Sequence, residues 1–434
     1  MSQIILIPLY YFFKSIVWIG LKIYNPLTYV LGKQNLKQKG PLIIVSNHPN
    51  TLLDPLHVAV IFPRYVHFLA NASLFKNPIV GWLLNQLYCI PIQRTQDTGG
   101  KPLNNVEAFK RSTDFLRKNG CLYIAPEGTS WMEKRLHPIK TGTARIALNF
   151  GKETNFEKEL VIIAVGIVYD KPNYFGSKVR IVVNNPIKIS AYKNIYFENE
   201  KDAVQNLTKK IELDLKNSII HTETIENERI FNTIQNVYYA NSKESYLENV
   251  DQSCKIAKKL LQIQNGKAEE FLEVEQTCFS LEQNLNKYNV DILLKNKRLN
   301  IAFIIFLLTT FPIFILGFIF NWFVAALPIF IKKLLKPVIE YHSTFNFLGG
   351  LIGLILIYPL NIKLLEYYFS FNSTSLEWWG IVIGMLLLGV AAKWWQIFLL
   401  QTIEVIKWKK LRKGHPEDYK TICELEQKTL NYFL

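Results

Sequence analysis

Between Ile301 and Ile331 the chain runs IAFIIFLLTTFPIFILGFIFNWFVAALPIFI without one charged side chain. A helix in water needs a polar face, so this segment asks for an apolar solvent. As a single helix it would reach about 46 Å, longer than a hydrocarbon core of about 30 Å yet short for two full crossings. Pro312, Asn321 and Pro328 interrupt it, which predicts a bent or re-entrant helical hairpin over 301–331. Residues 343–362 and 378–403, the latter broken only by Lys393, read as two true spans. Gly349 with Gly353, and Gly380 with Gly384, give the small-xxx-small spacing that lets helix backbones approach. Basic clusters around Lys297, Lys333 and Lys410 flank the apolar blocks, and the positive-inside rule puts all three on the cytoplasmic side of the membrane.

The amino-terminal stretch IILIPLYYFFKSIVWIGLKIY (4–24) is apolar and aromatic but interrupted by Pro8, Lys14 and Lys22. It reads as a helix lying in the membrane interface rather than crossing it, and not as a cleaved signal, since no basic region precedes it. The formal net charge of +15 suits a chain that sits near phosphates, of nucleic acid or of lipid headgroups. Without a basic helix or aromatic platform in a soluble domain, nucleic acid is disfavoured as a partner, and a lipid bilayer is favoured. Five cysteines with no C-x-x-C pair indicate neither a disulfide framework nor a metal cluster.

Between these membrane segments, residues 40–190 alternate short β-branched runs with longer helical stretches, the pattern of an α/β domain. The expected fold is a mostly parallel mixed sheet flanked by helices. Strands are predicted at 41–47, 65–70, 88–94, 121–128, 161–169 and 178–187, and helices at 73–87, 103–119 and 140–151. In open α/β sheets ligands bind beyond the carboxyl ends of the strands. The polar residues that fall there are His48, Arg94, Glu127 and Tyr169, delivered by four separate strands.

His48 and Asp54 lie in SNHPNTLLDP (46–55), each followed by proline. A residue before proline avoids the α region, so both are expected to be extended, with a tight turn bringing them together. Asp54 would then fix the imidazole's tautomer and His48 would take a proton from an attacking hydroxyl. A histidine near an aspartate in a turn is more often structural. The other three strand ends reverse that balance. PEGTS (126–130) lacks the G-x-S-x-G arrangement of a nucleophile elbow, so direct attack by an acceptor hydroxyl fits better than a covalent acyl-enzyme.

Four blocks, SNHPNTLLDP (46–55), IPIQRTQD (90–97), APEGTSW (125–131) and VIIAVGIVY (161–169), together with LHPIKTGTARIAL (136–148), resemble the membrane-associated glycerolipid acyltransferases. Within that family the look is nearest to the yeast-type glycerol-3-phosphate acyltransferases. The resemblance covers roughly residues 40–190. It implies His48 as general base, Asp54 as its orienting partner, and Arg94, Glu127 and Gly128 as residues that hold the acceptor's phosphate. Thr129, Lys140 and Tyr169 join the substrate-binding set, although Lys140 with Arg145 also suits a solvated helix face. Two departures stand out: five residues separate His48 from Asp54 where most members have four, and Ala164 replaces a proline thought to shape the acyl-donor site. His57 and His67 read as core residues; His137 lies near the third block, within reach of substrate, but a structural role is favoured for it.

The expected organisation is an anchoring helix (1–30), a catalytic domain (31–220), a charged helical segment (221–298), a membrane domain (299–405) and a cytoplasmic tail (406–434). The implied reaction moves a fatty acyl group from acyl-CoA or acyl carrier protein to a hydroxyl of glycerol-3-phosphate or 1-acylglycerol-3-phosphate. No cofactor or metal is called for, the thioester being a co-substrate. Lysophospholipid remodelling, a non-phosphate lipid acceptor, and a catalytically degenerate membrane scaffold are the alternatives.

Overall fold

Nine consecutive residues, Val161–Tyr169, are all buried, and they form the longest strand of the sheet around which the amino-terminal half is built. The computed structural model describes residues 3–86, 89–94, 104–298, 300–370 and 372–433; Tyr88 and residues 95–103, on which part of the expected third strand, second block and second helix fall, lie outside them. Two units result: Met1–His221 with Val338–Thr344, and Thr222–Pro337 with Phe345–Leu434.

In the first unit the order is α1 (Gln3–Tyr24), β1 (Thr28–Leu31), β2 (Leu42–Ser46), α2 (Leu53–Ile61), β3 (His67–Asn71), α3 (Pro78–Gln86), β4 (Cys89–Ile92), α4 (Val106–Arg117), β5 (Cys121–Ile124), α5 (Gly142–Glu153), β6 (Val161–Tyr169), β7 (Val179–Val183), β8 (Ile187–Lys188), α6 (Lys193–Glu198) and α7 (Glu200–Ser218). The sheet runs β1-β7-β6-β2-β5-β3-β4, with β8 also on β6. All pairs are parallel except β6 with β7 and β6 with β8, so the expected mostly parallel mixed sheet is what forms. The central strands β2 and β6 are buried throughout, as continuous β-branched runs between two helical layers should be. The stripe Ala203, Leu207, Ile211, Leu215 and Ile219 is buried, and α7 packs on β6 and α5. Asn199 caps α7, its side chain accepting from the Lys201 and Asp202 amides. Lys14 does not face solvent as an interruption of α1: its amine donates to the Phe62 and Arg64 carbonyls at the end of α2.

The second unit is helical: α8 (Ile225–Asn241), α9 (Tyr246–Gly266), α10 (Ala268–Tyr288), α11 (Ile301–Leu335), α12 (His342–Phe369), whose first three residues count with the other unit, α13 (Ser375–Gly414) and α14 (Pro416–Phe433). Three helices, α11, α12 with the turn before it, and α13, are long and apolar enough to cross a membrane. The hairpin expected over 301–331 is instead one unbroken helix. Prolines are tolerated in apolar helices where neighbours satisfy the freed backbone, and Asn321 links helices rather than turning the chain. Its Nδ2 donates to the Gly317 and Met385 carbonyls, both at 3.0 Å, and its Oδ1 accepts from the Tyr358 hydroxyl at 2.7 Å. The basic clusters around Lys297 and Lys333 therefore sit at opposite ends of one helix, and a hairpin no longer places them on one side.

Helix contact is also differently placed. A Cβ on Gly349 or Gly353 would meet Pro328 or Val324 at 3.0 and 3.1 Å, but nothing lies within 4 Å of Gly380 or Gly384. The closest approach is at Gly317, where a Cβ would sit 2.2 Å from the Leu388 carbonyl oxygen, and at Gly389, against Asn321. The expected tail is no tail: α13 runs on to Gly414 and α14 packs on α10 and α8, with Ile422 and Phe433 buried. Glu426 is buried there and accepts from Lys295 and from Asn241 Nδ2.

Candidate active site

β2 delivers the residues of the site at its carboxyl end, and Asn47 fastens that end to β6. The Asn47 side chain donates to the Ile167 carbonyl at 2.9 Å and accepts from the Ile167 amide at 2.8 Å, completing the ladder where strand pairing stops. Both backbone groups of His48 are then used: its amide donates to Glu127 Oε1 at 2.9 Å and its carbonyl accepts from the Trp131 amide at 3.1 Å. The ring is fixed from one side, Nδ1 lying 3.0 Å from Asp54 Oδ2. With 15% of the side chain exposed, Nε2 is left without a partner among the described residues.

Asp54 is fully buried. Its Oδ2 also accepts from the Asn50 amide at 2.7 Å, and its Oδ1 accepts from the Tyr169 hydroxyl at 2.7 Å. Burial pushes its carboxyl pKa up, and the three donors pull it back toward ionisation. The expectation that Asp54 is extended fails: it lies in the first turn of α2, its amide bonded to the Asn50 carbonyl. Pro55 also falls within that first turn, where the missing N–H has no helical partner to lose, so the rule for residues before proline gives way. The dyad is thus a strand end and a helix start joined by a short turn.

Glu127 reaches neither Asp54 nor the imidazole but braces the backbone. Its two oxygens accept from the His48 amide and, at 3.0 Å, from the His137 amide. Burial raises its pKa to about 7 against the pull of those two N–H groups. Gly128 follows at φ +77°, with nothing nearer than 3.9 Å to a Cβ there, so the backbone conformation and not the space requires glycine. Its carbonyl accepts from Arg94 Nη1 at 3.1 Å, which ties the guanidinium to the same turn. Thr129 is partly buried beside it. Lys140 is exposed, its amide bonded to the Pro126 carbonyl at 2.7 Å.

Tyr169 ends β6 at the strand end expected for it; it is buried and gives its hydroxyl to Asp54. Phe175 packs edge-on against Tyr24, and Ser177 is buried with its hydroxyl accepting from the Lys171 amide. His57 is a core residue as expected, its Nε2 paired with Asn25 Oδ1 at 3.2 Å and its pKa lowered by burial to about 3; His67 is only half-buried, stacked on Phe115 at 3.6 Å. His137 stacks on Trp131 at 4.2 Å and pairs with Glu133 at 3.0 Å. Asn50, which presents its amide to Asp54, escaped the sequence reading; its only signal was its place inside the His48–Asp54 interval. Among the described residues no cluster could hold a metal ion.

Strand-end histidine, buried acid, arginine and glycine turn are thus joined through the hydrogen bonds of one strand edge. Residues 28–168 match the family model "Acyltransferase" and are a domain of that family. A chloroplastic 1-acyl-sn-glycerol-3-phosphate acyltransferase of Brassica napus, BAT2, is 27% identical over 144 residues, 33% of this chain and 40% of that relative. Glycerol-3-phosphate O-acyltransferase 2 of Saccharomyces cerevisiae is 31% identical over 110 residues, 25% of this chain and 15% of the yeast protein. The chain thus spans well under two thirds of the length of either relative. A crystal structure of the 1-acyl-sn-glycerophosphate acyltransferase PlsC from Thermotoga maritima aligns over 48% of this chain and 78% of that one, at 20% identity and a TM-score of 0.34.

Proposed function

We propose that this protein is a membrane-bound O-acyltransferase that moves a fatty acyl group from a thioester, acyl-CoA or acyl carrier protein, to a hydroxyl of glycerol-3-phosphate or 1-acylglycerol-3-phosphate. The observation that carries the proposal is the His48–Asp54 pair, 3.0 Å apart, with the acid fully buried and the ring partly open. An ionised Asp54 accepts, so Nδ1 carries the proton and Nε2 is the basic nitrogen. The acceptor hydroxyl attacks the thioester carbonyl carbon as Nε2 takes its proton. The C–S bond then breaks, and the imidazolium returns that proton to the leaving thiolate. General-base help of this kind contributes roughly 10² to 10⁴ in rate. Arg94, moored on the Gly128 carbonyl, offers a planar fork suited to a phosphate, and Lys140 adds positive charge at the same turn. Three apolar helices and an apolar amino-terminal helix favour a bilayer as the setting, where amphiphilic substrates arrive along the leaflet. No cofactor enters this chemistry.

Purified full-length protein in detergent, given an acyl thioester with each acceptor, should release free thiol and form ester product with one of them. His48→Ala should reduce turnover at least a hundredfold, and Arg94→Ala should raise KM for the phosphorylated acceptor. Product from neither acceptor, or parental turnover by His48→Ala, would overturn the proposal.

A further inference from the structure

Seven residues far along the chain, Val338–Thr344, belong to the acyltransferase unit although apolar helices flank them in sequence. They form a single 3₁₀ turn, Ile339–Tyr341, and the first residues of α12. Their contacts fall on the turn between His48 and Asp54. Ser343, fully buried, donates its hydroxyl to Asn50 Oδ1. Thr344 shares a 2.6 Å hydroxyl contact with Thr51, whose own hydroxyl lies 3.2 Å from the Glu340 carbonyl. Asn50 is itself fully buried, its Nδ2 donating to the Pro172 carbonyl at 3.0 Å.

This arrangement sets up a relay of position. A buried amide that loses a partner is left with an unsatisfied group, so Asn50 keeps the orientation in which Ser343 and Pro172 satisfy its two ends. In that orientation its backbone N–H points at Asp54 Oδ2, the oxygen that also takes His48 Nδ1. We propose that Ser343 and Thr344 are positioning residues for the His48–Asp54 pair, supplied to the active site by the segment that joins two apolar helices. The inference rests on the general-base role of His48. Neither residue touches substrate; each acts through Asn50 or Thr51. The catalytic turn is therefore completed by a part of the chain that the family domain at 28–168 does not contain.

The test uses the full chain in detergent. Ser343→Ala and Thr344→Val should each lower kcat about tenfold, with KM for both substrates within about twofold. The acid limb of the kcat/KM profile should move to lower pH, because a less well oriented carboxylate stabilises the imidazolium less. Thr344→Ser should restore both properties. Should Ser343→Ala fail to fold, the Thr344→Val and Thr344→Ser pair decides alone. Variants that lose thermal stability yet keep parental kcat and an unmoved pH profile would overturn the inference while His48→Ala stays inactive. A fully active His48→Ala would instead remove the general-base reading beneath it.

Discussion

The Tyr169 hydroxyl, at the carboxyl end of β6, donates to Asp54 Oδ1 at 2.7 Å and so holds the acid from the side opposite His48. A hydrogen bond to a charged acceptor is worth about 1.5 to 3 kcal/mol. Tyr169→Phe should keep the packing and remove only that bond. Turnover should fall roughly ten- to a hundredfold with little change in KM. Steady-state kinetics check this, and a rise in KM with kcat intact would mark Tyr169 as a substrate contact after all.

Glu127 joins two backbone amides from different blocks, those of His48 and His137. Glu127→Gln retains one acceptor oxygen and turns an NH₂ toward the second amide, setting donor against donor. Stability should drop by about 1 to 3 kcal/mol, and activity should fall because His48 loses its anchor. Thermal unfolding alongside turnover would show both losses together.

His57 sets an acid limit. Burial depresses its folded-state pKa to about 3, below the ordinary histidine value, so the unfolded chain binds the proton more readily. The stability this neutral ring contributes is present above about pH 6.5 and is lost as pH falls toward 3. Between pH 7 and pH 5 the loss should be roughly 2 kcal/mol from this residue. His57→Gln should flatten that part of the profile in denaturant titrations at the two pH values; an unchanged slope would assign the acid sensitivity to other groups.

Gly128 tests strain without crowding. At φ +77° with open space around its Cα, alanine should cost about 1 to 2 kcal/mol from backbone conformation alone. Asparagine, which visits this region more readily, should cost less. Unfolding midpoints of Gly128→Ala and Gly128→Asn give the ranking, and equal losses would point to a steric cause.

Much of the sheet was legible because β2, β5 and β6 are continuous runs of β-branched and apolar residues that only a buried strand accommodates. The His48–Asp54 pairing was legible from spacing and from the polar residues at the neighbouring strand ends, whereas the proline after Asp54 pointed to the wrong backbone. What escaped depended on neighbours distant in sequence. Thr28–Leu31 is a strand only because β7 runs beside it. The helical setting of Asp54 follows from where α2 begins, which overrides the local preference imposed by Pro55. Asn321 looks like a breaker until Tyr358 and Met385 satisfy its amide. Gly317 and Gly389 carry no spacing signal, and contact with the opposing helix alone reveals them. Nothing near Ser343 announces that it reaches Asn50.

Asn321 also bears on how the apolar helices come to be assembled. A primary amide stranded in hydrocarbon is costly, by several kcal/mol when nothing answers it. Its outside partners, the Tyr358 hydroxyl and the Met385 carbonyl, are both translated later. One side chain of the first helix thus answers to both of the others at a single level, so the three are fitted to one another as a set and not pair by pair.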